Sequence, residues 1–281
     1  MRNRIIHILL RISFYFILCV FTTFTLLPLV WAISSSFKPL ESVMADVTNF
    51  SLKTLLPLPF SMEGYQGLFE AGFGRSILNT FIVGISVVIL GILLNSLAAF
   101  SFAKIDFPFK NILFILVLIS FMVPFEAIAI PLYLIVKNLG FLNTIYALIL
   151  PGIANGLTIF LFRQFFSGIP TELLEAALVD GAGLFRVYWE IVIPLSKPAL
   201  ISAGLLLFIS QWEAFMWPLI SIQDKNLRVI QVAIAYLSVE HITLWNQIFA
   251  GVVIAGIIPL VLIFPFQRYY ISAITSTGIK G

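Results

Sequence analysis

Residues 169–183 read Ile-Pro-Thr-Glu-Leu-Leu-Glu-Ala-Ala-Leu-Val-Asp-Gly-Ala-Gly, and they lie between two long apolar runs. Pro170 suits the first turn of a helix, and Glu172 is favoured at the positive end of the helix dipole. The apolar residues fall at helical spacings and form one stripe: Leu173, Leu174, Ala177 and Leu178. Gly181 and Gly183 then end the helix. The stretch predicts a helix of about ten residues, about 15 Å long, which is too short to cross a bilayer.

The composition around this stretch is that of a membrane protein. Of 281 residues, 60% are hydrophobic and 10% are charged, whereas roughly 25% are charged in an ordinary soluble domain. The mean hydropathy is +1.08. These values exclude a soluble enzyme, a nucleic-acid-binding domain and a disordered tail protein. The net charge of +3 does not indicate a polyanion partner, and the single cysteine, Cys19, excludes an intrachain disulfide.

Six runs are long and apolar enough to cross a bilayer core about 30 Å thick. They cover residues 12–33, 77–100, 112–136, 143–163, 199–220 and 247–267. All six are predicted to be helices, because lipid offers no partner for exposed backbone groups. The predicted fold class is therefore an all-α membrane protein with six transmembrane helices. The first run is longer than a signal-peptide core and is expected to be retained.

The distribution of Lys and Arg predicts the orientation. With a cytoplasmic N-terminus, ten of the sixteen basic residues lie on the inside and six on the outside. Both termini are therefore expected to be cytoplasmic, in a multi-pass protein of the plasma membrane. The stretch 169–183 then belongs to an inner loop, residues 164–198, between the fourth and fifth spans. An outer loop, residues 34–76, is expected to be irregular and to end in a short amphipathic helix around residues 62–69.

The inner loop resembles the "EAA" loop of permease subunits of binding-protein-dependent ABC importers, whose pattern is E-A-A-x-x-D-G-A followed by I-x-x-P. The matching positions are Glu175, Ala176, Ala177, Asp180, Gly181, Ala182, Ile191, Pro194 and, further on, Pro198. The resemblance implies the type I importer permease fold, found in bacterial inner membranes. It also implies that the inner-loop helix is a coupling helix, which docks in a cleft on a cytoplasmic ATPase subunit.

Other stretches resemble the carbohydrate branch of these importers, in particular the second permease of maltose-type systems. They are Ser96 to Lys104, Ile130 to Tyr133, Trp212 to Leu219 and Gly278 to Gly281. One departure is visible, because Glu213 stands where the branch usually has Asn after the first Trp.

The resemblance implies one permease domain over residues 1–281, with its core at 72–267. With a second permease it would form the pathway for a sugar or oligosaccharide delivered by an extracytoplasmic solute-binding protein. The C-terminal tail, with Gly278 and Lys280, would lie near two ATPase subunits, which would hold ATP and Mg²⁺. The chain has no G-x-x-x-x-G-K-[ST] motif, and we expect neither enzymatic activity nor a bound cofactor, metal or nucleic acid.

Three alternatives remain open at this stage: an importer for another polar solute such as glycerol phosphate, an ion-coupled secondary transporter, and an inner-loop helix that lies on lipid. Intramembrane carboxylates favour the second of these, because they often carry coupling ions. Candidates for the substrate pathway supply polar groups and aromatic faces: Glu126, Tyr133, Asn155, Gln211, Trp212, Glu213 and Trp217. Each carboxylate could instead be a structural partner of another helix, and the two tryptophans could be interfacial. Asn79 and Asn95 are expected to hydrogen-bond between helices.

Overall fold

The computed structural model describes residues 2–49, 51–238 and 243–266, and within these ranges the regular structure is helical. The helices are α1 (Arg2–Ser36), α2 (Leu40–Thr48), α3 (Glu63–Glu70), α4 (Phe73–Lys104), α5 (Lys110–Met122), α6 (Phe125–Asn138), α7 (Ile145–Ile153), α8 (Gly156–Ser167), α9 (Thr171–Val179), α10 (Leu184–Val187), α11 (Ile193–Leu195), α12 (Lys197–Trp212), α13 (Met216–Ser221), α14 (Ile230–Leu237) and α15 (Trp245–Ile263). A π-helical segment, Tyr188–Val192, joins α10 to α11. Short 3₁₀ turns cover Leu52–Leu55, Lys225–Leu227 and Phe264–Phe266.

The predicted all-α fold with up to six spans is confirmed. Four stretches are long and apolar enough to span: Leu10–Ser36, Phe73–Lys104, Ile145–Ser167 and Trp245–Phe266. The third of these combines α7 and α8, which are separated by the non-helical residues Ala154 and Asn155. Two further candidates are bent pairs, α5 with α6 at 103° and Leu184–Leu195 with α12 at 81°. The bend between α5 and α6 falls at Pro124, whose missing N–H and ring oppose a continuous helix.

The structure differs from the expected fifth span, 199–220. Helix α12 ends at Trp212, with Glu213 as its C-cap, and the chain becomes helical again only at Met216. Hydropathy could not show this interruption, because residues on both sides of it are equally apolar. The segment therefore consists of a long helix and a short one rather than one rod.

The chain divides into two compact units, Met1–Phe73 with Ile234–Ile257 and Gly74–Ala233 with Ile258–Gly281. In the first unit the outer loop is more ordered than expected, because α2 and a 3₁₀ turn precede the predicted amphipathic helix, which is present as α3. Lys38 is 1% exposed, and its Nζ donates to Asp46 Oδ2 at 2.7 Å and to the Thr54 carbonyl at 3.0 Å. Lys38 therefore ties α2 and the 3₁₀ turn to the start of the outer loop.

In the second unit, the main apolar core lies where α4, α8, α9, α12 and the π-helical segment meet. Its buried members are Ala99, Phe100, Phe162, Phe166, Ile169, Leu174, Val187, Tyr188, Val192 and Ala203. The rings of Phe162 and Phe166 stack with centroids 5.7 Å apart. Six of these ten residues belong to the inner loop, residues 164–198, so this loop is part of the packed body of the unit.

Candidate functional site

The inner-loop helix has the length and position predicted from the sequence. Helix α9 has nine residues, and Pro170 is its N-cap. The chain enters it at a fixed point, because Lys104 Nζ, at the end of α4, donates to the Ile169 carbonyl at 2.5 Å. The start of α9 is therefore held by the span that packs beside it.

The end of α9 explains the spacing of the Ala-x-x-Asp-Gly-Ala pattern. Gly181 has φ +85°, its N–H donates to the Leu178 carbonyl at 3.0 Å, and the Ala182 N–H donates to the Ala177 carbonyl at 2.9 Å. This pair of bonds is the Schellman motif, in which the residue after the cap adopts the left-handed conformation that favours glycine. The pattern thus encodes a sharp helix stop that turns the chain back towards α10.

Helix α9 exposes much of its apolar surface. Of the expected stripe, Leu174 is buried and Ala177 packs against the core, whereas Leu173 and Leu178 are 48% and 43% exposed. Val179 is 87% exposed. Glu172, Glu175, Ala176 and Asp180 are also exposed. The helix therefore presents a surface on which carboxylates alternate with apolar side chains.

The segment after α9 is anchored by a tyrosine that the sequence did not single out. Tyr188 is 1% exposed, its hydroxyl lies 2.7 Å from Ser96 Oγ of α4, and its ring packs on Phe100 with centroids 5.4 Å apart. A buried tyrosine hydroxyl usually finds a hydrogen-bond partner, and the sequence alone does not name that partner.

A notch of about 330 Å³ opens between α9 and the segment that follows it. It is lined by Ala177, Asp180, Ala182, Arg186, Val187, Glu190 and Ile191. Four of the residues singled out from the EAA pattern are thus brought together, while Glu175 lies exposed on α9 and Pro194 is exposed on α11. Arg186 Nε donates to Glu190 Oε2 at 2.8 Å. The notch therefore combines small residues with polar groups at its edge.

A second cavity, about 360 Å³, lies where three spans are interrupted. Its lining comes from α6, from the break between α7 and α8, and from the break between α12 and α13: Phe125, Ile128, Leu132, Leu148, Pro151, Gly152, Ala154, Asn155, Gln211, Ala214, Phe215, Met216 and Trp217. Interrupted helices supply backbone polar groups within the membrane, which is why transport sites are commonly built from them.

The break between α7 and α8 is stabilised by side-chain amides. Asn95 of α4 is 1% exposed; its Nδ2 donates to the Ile153 carbonyl at 2.8 Å, and its Oδ1 accepts from the Asn155 N–H at 3.0 Å. Asn155 caps α8, because its Oδ1 accepts from the Thr158 N–H at 2.9 Å. The expected interhelical role of Asn95 is confirmed, whereas Asn79 bonds a turn instead of a spanning helix: it donates to the carbonyls of Asn226, in the 3₁₀ turn Lys225–Leu227, and of Arg228, which follows that turn.

Three of the seven pathway candidates line this cavity: Asn155, Gln211 and Trp217. Trp217 is oriented by its Nε1, which donates to the Ala147 carbonyl at 2.8 Å. Gln211 lies against Gly152, where an added Cβ would come within 3.0 Å of its Nε2. An oriented indole and two amides are groups that can contact a hydroxylated ligand.

The other candidates lie elsewhere. Trp212 is 2% exposed and packs against Phe81 and Phe208, so its ring belongs to the core rather than to the cavity lining. Glu126 and Glu213 are exposed, and each directly adjoins a lining residue in sequence. Tyr133 is half-buried on α6 and is not among the lining residues, while Gly278 and Lys280 lie outside the described residues.

The sequence did not indicate the lining residues Phe125, Phe215 and Met216. The signal that could have found them is the helix breakers beside them, Pro124 and Pro218, because chain interruptions mark where a membrane cavity can open. No cluster of metal-ligating side chains occurs in residues 2–49, 51–238 and 243–266.

Comparison with known proteins gives consistent matches. Residues 88–272 match the sequence model of the family described as "Binding-protein-dependent transport system inner membrane component". The chain is 31% identical over 280 residues to an arabinooligosaccharides transport system permease protein, AraQ, of Halalkalibacterium halodurans, covering 97% of this chain and 96% of the relative. It is 35% identical over 233 residues to the sn-glycerol-3-phosphate transport system permease protein UgpE of Salmonella typhi, covering 80% and 83%.

A solved structure has the same fold. It is one chain of a bacterial ABC transporter involved in the import of the acidic polysaccharide alginate, with a TM-score of 0.78, 23% identity, and 92% and 95% of the two chains covered. The family match spans the inner loop and the cavity, and the relatives align over most of their length. The chain therefore belongs to the family of binding-protein-dependent transport system inner membrane components.

Proposed function

We propose that this protein is the transmembrane subunit of an ATP-driven importer for a sugar or oligosaccharide. A second permease would complete the pathway, an extracytoplasmic solute-binding protein would deliver the substrate, and two cytoplasmic ATPase subunits would hold ATP and Mg²⁺. The chain itself would bind no nucleotide and catalyse no reaction. The observation that carries the proposal is the surface of α9 in a chain of this transport family. One side of the helix packs into the core through Leu174 and Ala177, and the other side exposes acidic and apolar residues.

The surface of α9 favours a protein partner over lipid. Helices that lie on a membrane usually carry Lys and Arg on the polar face, because the lipid surface is anionic. On α9 the charged side chains are Glu172 and Glu175, with Asp180 at its C-cap. An ATPase cleft with basic groups would complement these carboxylates, while the exposed Leu178 and Val179 would supply apolar contact.

The cavity favours a neutral carbohydrate over glycerol phosphate. Phosphate is normally bound by Arg, Lys or helix N-terminal amides, and the described lining contains no Lys or Arg. The carboxylates of Glu126 and Glu213, beside the lining, would repel a phosphate. Trp217, Asn155 and Gln211 suit hydroxyl groups and a sugar ring. The AraQ relative is named for arabinooligosaccharides, which are neutral carbohydrates.

The test is uptake into proteoliposomes that contain the complete importer and its binding protein. We expect accumulation of labelled arabinotriose with ATP inside the vesicles, no accumulation with a proton gradient alone, and no accumulation of labelled sn-glycerol 3-phosphate. Uptake driven by the proton gradient without ATP would establish the secondary-transporter alternative. ATP-driven uptake of glycerol phosphate but not of arabinotriose would overturn the assignment of substrate class.

The docking role of α9 is tested with Glu175→Gln, which removes one charge from an exposed position. We expect less ATPase to copurify with the permease pair, at unchanged permease expression. Glu70→Gln is the matched control, because Glu70 is also an exposed glutamate but lies at the end of α3, outside the inner loop. Equal copurification in the wild type and in both variants would contradict docking through α9.

The proposed topology places both termini in the cytoplasm, as the distribution of Lys and Arg predicts. In a Cys19→Ser background, a cysteine introduced by Lys280→Cys should react with a membrane-impermeant maleimide only after the cells are opened. Labelling of intact cells would show that the orientation is reversed.

A further inference from the structure

Two consecutive residues of α4 connect the inner loop to the wall of the 360 Å³ cavity. Asn95 and Ser96 are 1% and 0% exposed. Asn95 bonds the break between α7 and α8, which forms part of the cavity wall, and Ser96 bonds Tyr188 in the core of the inner loop. The cavity wall and the inner loop are therefore attached to the same turn of one helix.

The break needs a partner because its backbone is not helical. Ala154 has φ −85° and ψ 111°, and Asn155 has φ −129° and ψ 109°. Two extended residues interrupt the hydrogen-bond ladder, and unpaired backbone groups are costly inside a membrane. The Asn95 amide satisfies an N–H and a C=O together, since a carboxamide has both a donor and an acceptor in one plane.

The approach of α4 to the break depends on Gly91, four residues before Asn95 and thus on the same face of the helix. A Cβ at Gly91 would lie 3.3 Å from the Ile153 carbonyl oxygen. Gly91 therefore leaves room for the contact that Asn95 makes, and the two residues together hold the break close to α4.

The hydrogen bond between Ser96 and Tyr188 has a defined donor and acceptor. Ser96 Oγ lies 2.5 Å from the Ile92 carbonyl, so its proton is used within α4 and it accepts from the Tyr188 hydroxyl. The inner loop is thus bound to α4 through a buried tyrosine O–H, in addition to the bond of Lys104 to the Ile169 carbonyl.

We infer that Asn95 and Ser96 are positioning residues that transmit a displacement of the inner loop to the cavity wall. When a partner moves the inner loop, Tyr188 carries α4 with it, and Asn95 carries the non-helical pair Ala154–Asn155. This inference rests on the proposed function, because it requires that the inner loop be moved by an ATPase. It assigns the coupling between the two parts of the site to one turn of α4.

A purely structural role for Asn95 is the alternative, and α4 offers a matched control. Asn79 is also a buried asparagine of α4 with two hydrogen bonds to backbone groups, although in its case Nδ2 donates to two carbonyls, at 2.8 and 3.0 Å. Its partners, Asn226 and Arg228, belong neither to the cavity lining nor to the inner loop. Loss of either asparagine removes buried hydrogen bonds, but only Asn95 lies on the inferred connection.

The experiment measures the ATP hydrolysed per arabinotriose imported by the complete reconstituted importer, together with the Tm of the complex. We expect Asn95→Leu to raise this ratio about five-fold or more, and Asn79→Leu to lower the Tm while leaving the ratio at the wild-type value. Asn95→Asp keeps the acceptor for the Asn155 N–H, so it should assemble and still raise the ratio. Tyr188→Phe, which removes only the hydroxyl, should raise it as well.

The double variant Asn95→Asp with Tyr188→Phe should have a ratio no higher than that of the more affected single variant, since both bonds act through the same helix. Wild-type ratios in Asn95→Asp and Tyr188→Phe would overturn the inference, and so would equal effects of Asn95→Leu and Asn79→Leu. A wild-type importer that hydrolyses ATP without importing sugar would instead overturn the proposed function.

Discussion

Substitution of Gly181 separates two physical reasons for a glycine at the end of α9. The first is space, and the second is backbone conformation. A Cβ at Gly181 would meet nothing within 4 Å, so within this chain an added methyl group has room. The φ of +85° is the constraint that remains, because an L-residue with a Cβ is strained there.

The magnitude follows from this conformation. An alanine in the left-handed region costs about 1–2 kcal/mol, which lowers the population of the native helix end by a factor of about 5–30. Asparagine tolerates this region better than alanine, because its side chain can hydrogen-bond locally. Gly181→Asn should therefore be milder than Gly181→Ala although the asparagine side chain is larger, and Gly181→Val should be the most severe.

Gly183 is the matched control. It lies two residues later, a Cβ there would also meet nothing within 4 Å, and its φ is −76°, a value that any residue adopts. Gly183→Ala should change stability by no more than about 0.5 kcal/mol. The assay is the amount of ATPase that copurifies with each variant, followed by ATP-driven uptake. An order of effect that follows side-chain volume, or equal effects of alanine at 181 and 183, would refute the conformational argument.

Three further outcomes are expected. Glu213→Gln should lower uptake without changing the Tm, because Glu213 is exposed and lies beside the cavity lining; normal uptake kinetics would remove it from the pathway. Trp212→Ala should cost about 3–5 kcal/mol of stability, since the ring is buried, and an unchanged Tm would contradict that packing. Lys38→Met should cost about 3 kcal/mol, because it leaves the Asp46 carboxylate without its partner. The exposed Lys53→Met is its control, and equal Tm values for the two would contradict a stabilising ion pair.

The elements that the sequence predicted well are those whose signals are local. The Gly181 stop, the nine residues of α9 and the apolar lengths of α1, α4 and α15 follow from turn chemistry and hydropathy. Such features depend on residues that are close together in the sequence, so they can be predicted without knowledge of tertiary contacts.

The side chains that the sequence could not place are those whose position depends on which way an apolar helix faces. Trp212 and Trp217 are five residues apart in an apolar stretch, yet one packs in the core and the other lines the cavity. In a membrane, both lipid and core are apolar, so hydropathy cannot distinguish the two faces of a helix. The partners of Asn95 could not be predicted either, because they are backbone groups at a helix break whose position depends on tertiary packing.

Helix α1 has a consequence for how the protein is made. The most apolar 18 residues of Leu10–Ser36 have a mean hydropathy of 2.3, and none of them is buried. Burial begins only at the end of the helix, with Ser34, Ser35 and Ser36. Residues 10–30 are therefore exposed for contact with lipid, whereas the end of the helix contacts its own unit, where the rings of Trp31 and Phe249 lie 5.4 Å apart. In the two-stage view of membrane-protein folding, such a helix inserts independently before helices associate. Helix α1 can thus enter the bilayer without its neighbours, whereas the break between α7 and α8 acquires its hydrogen bonds only when it meets α4.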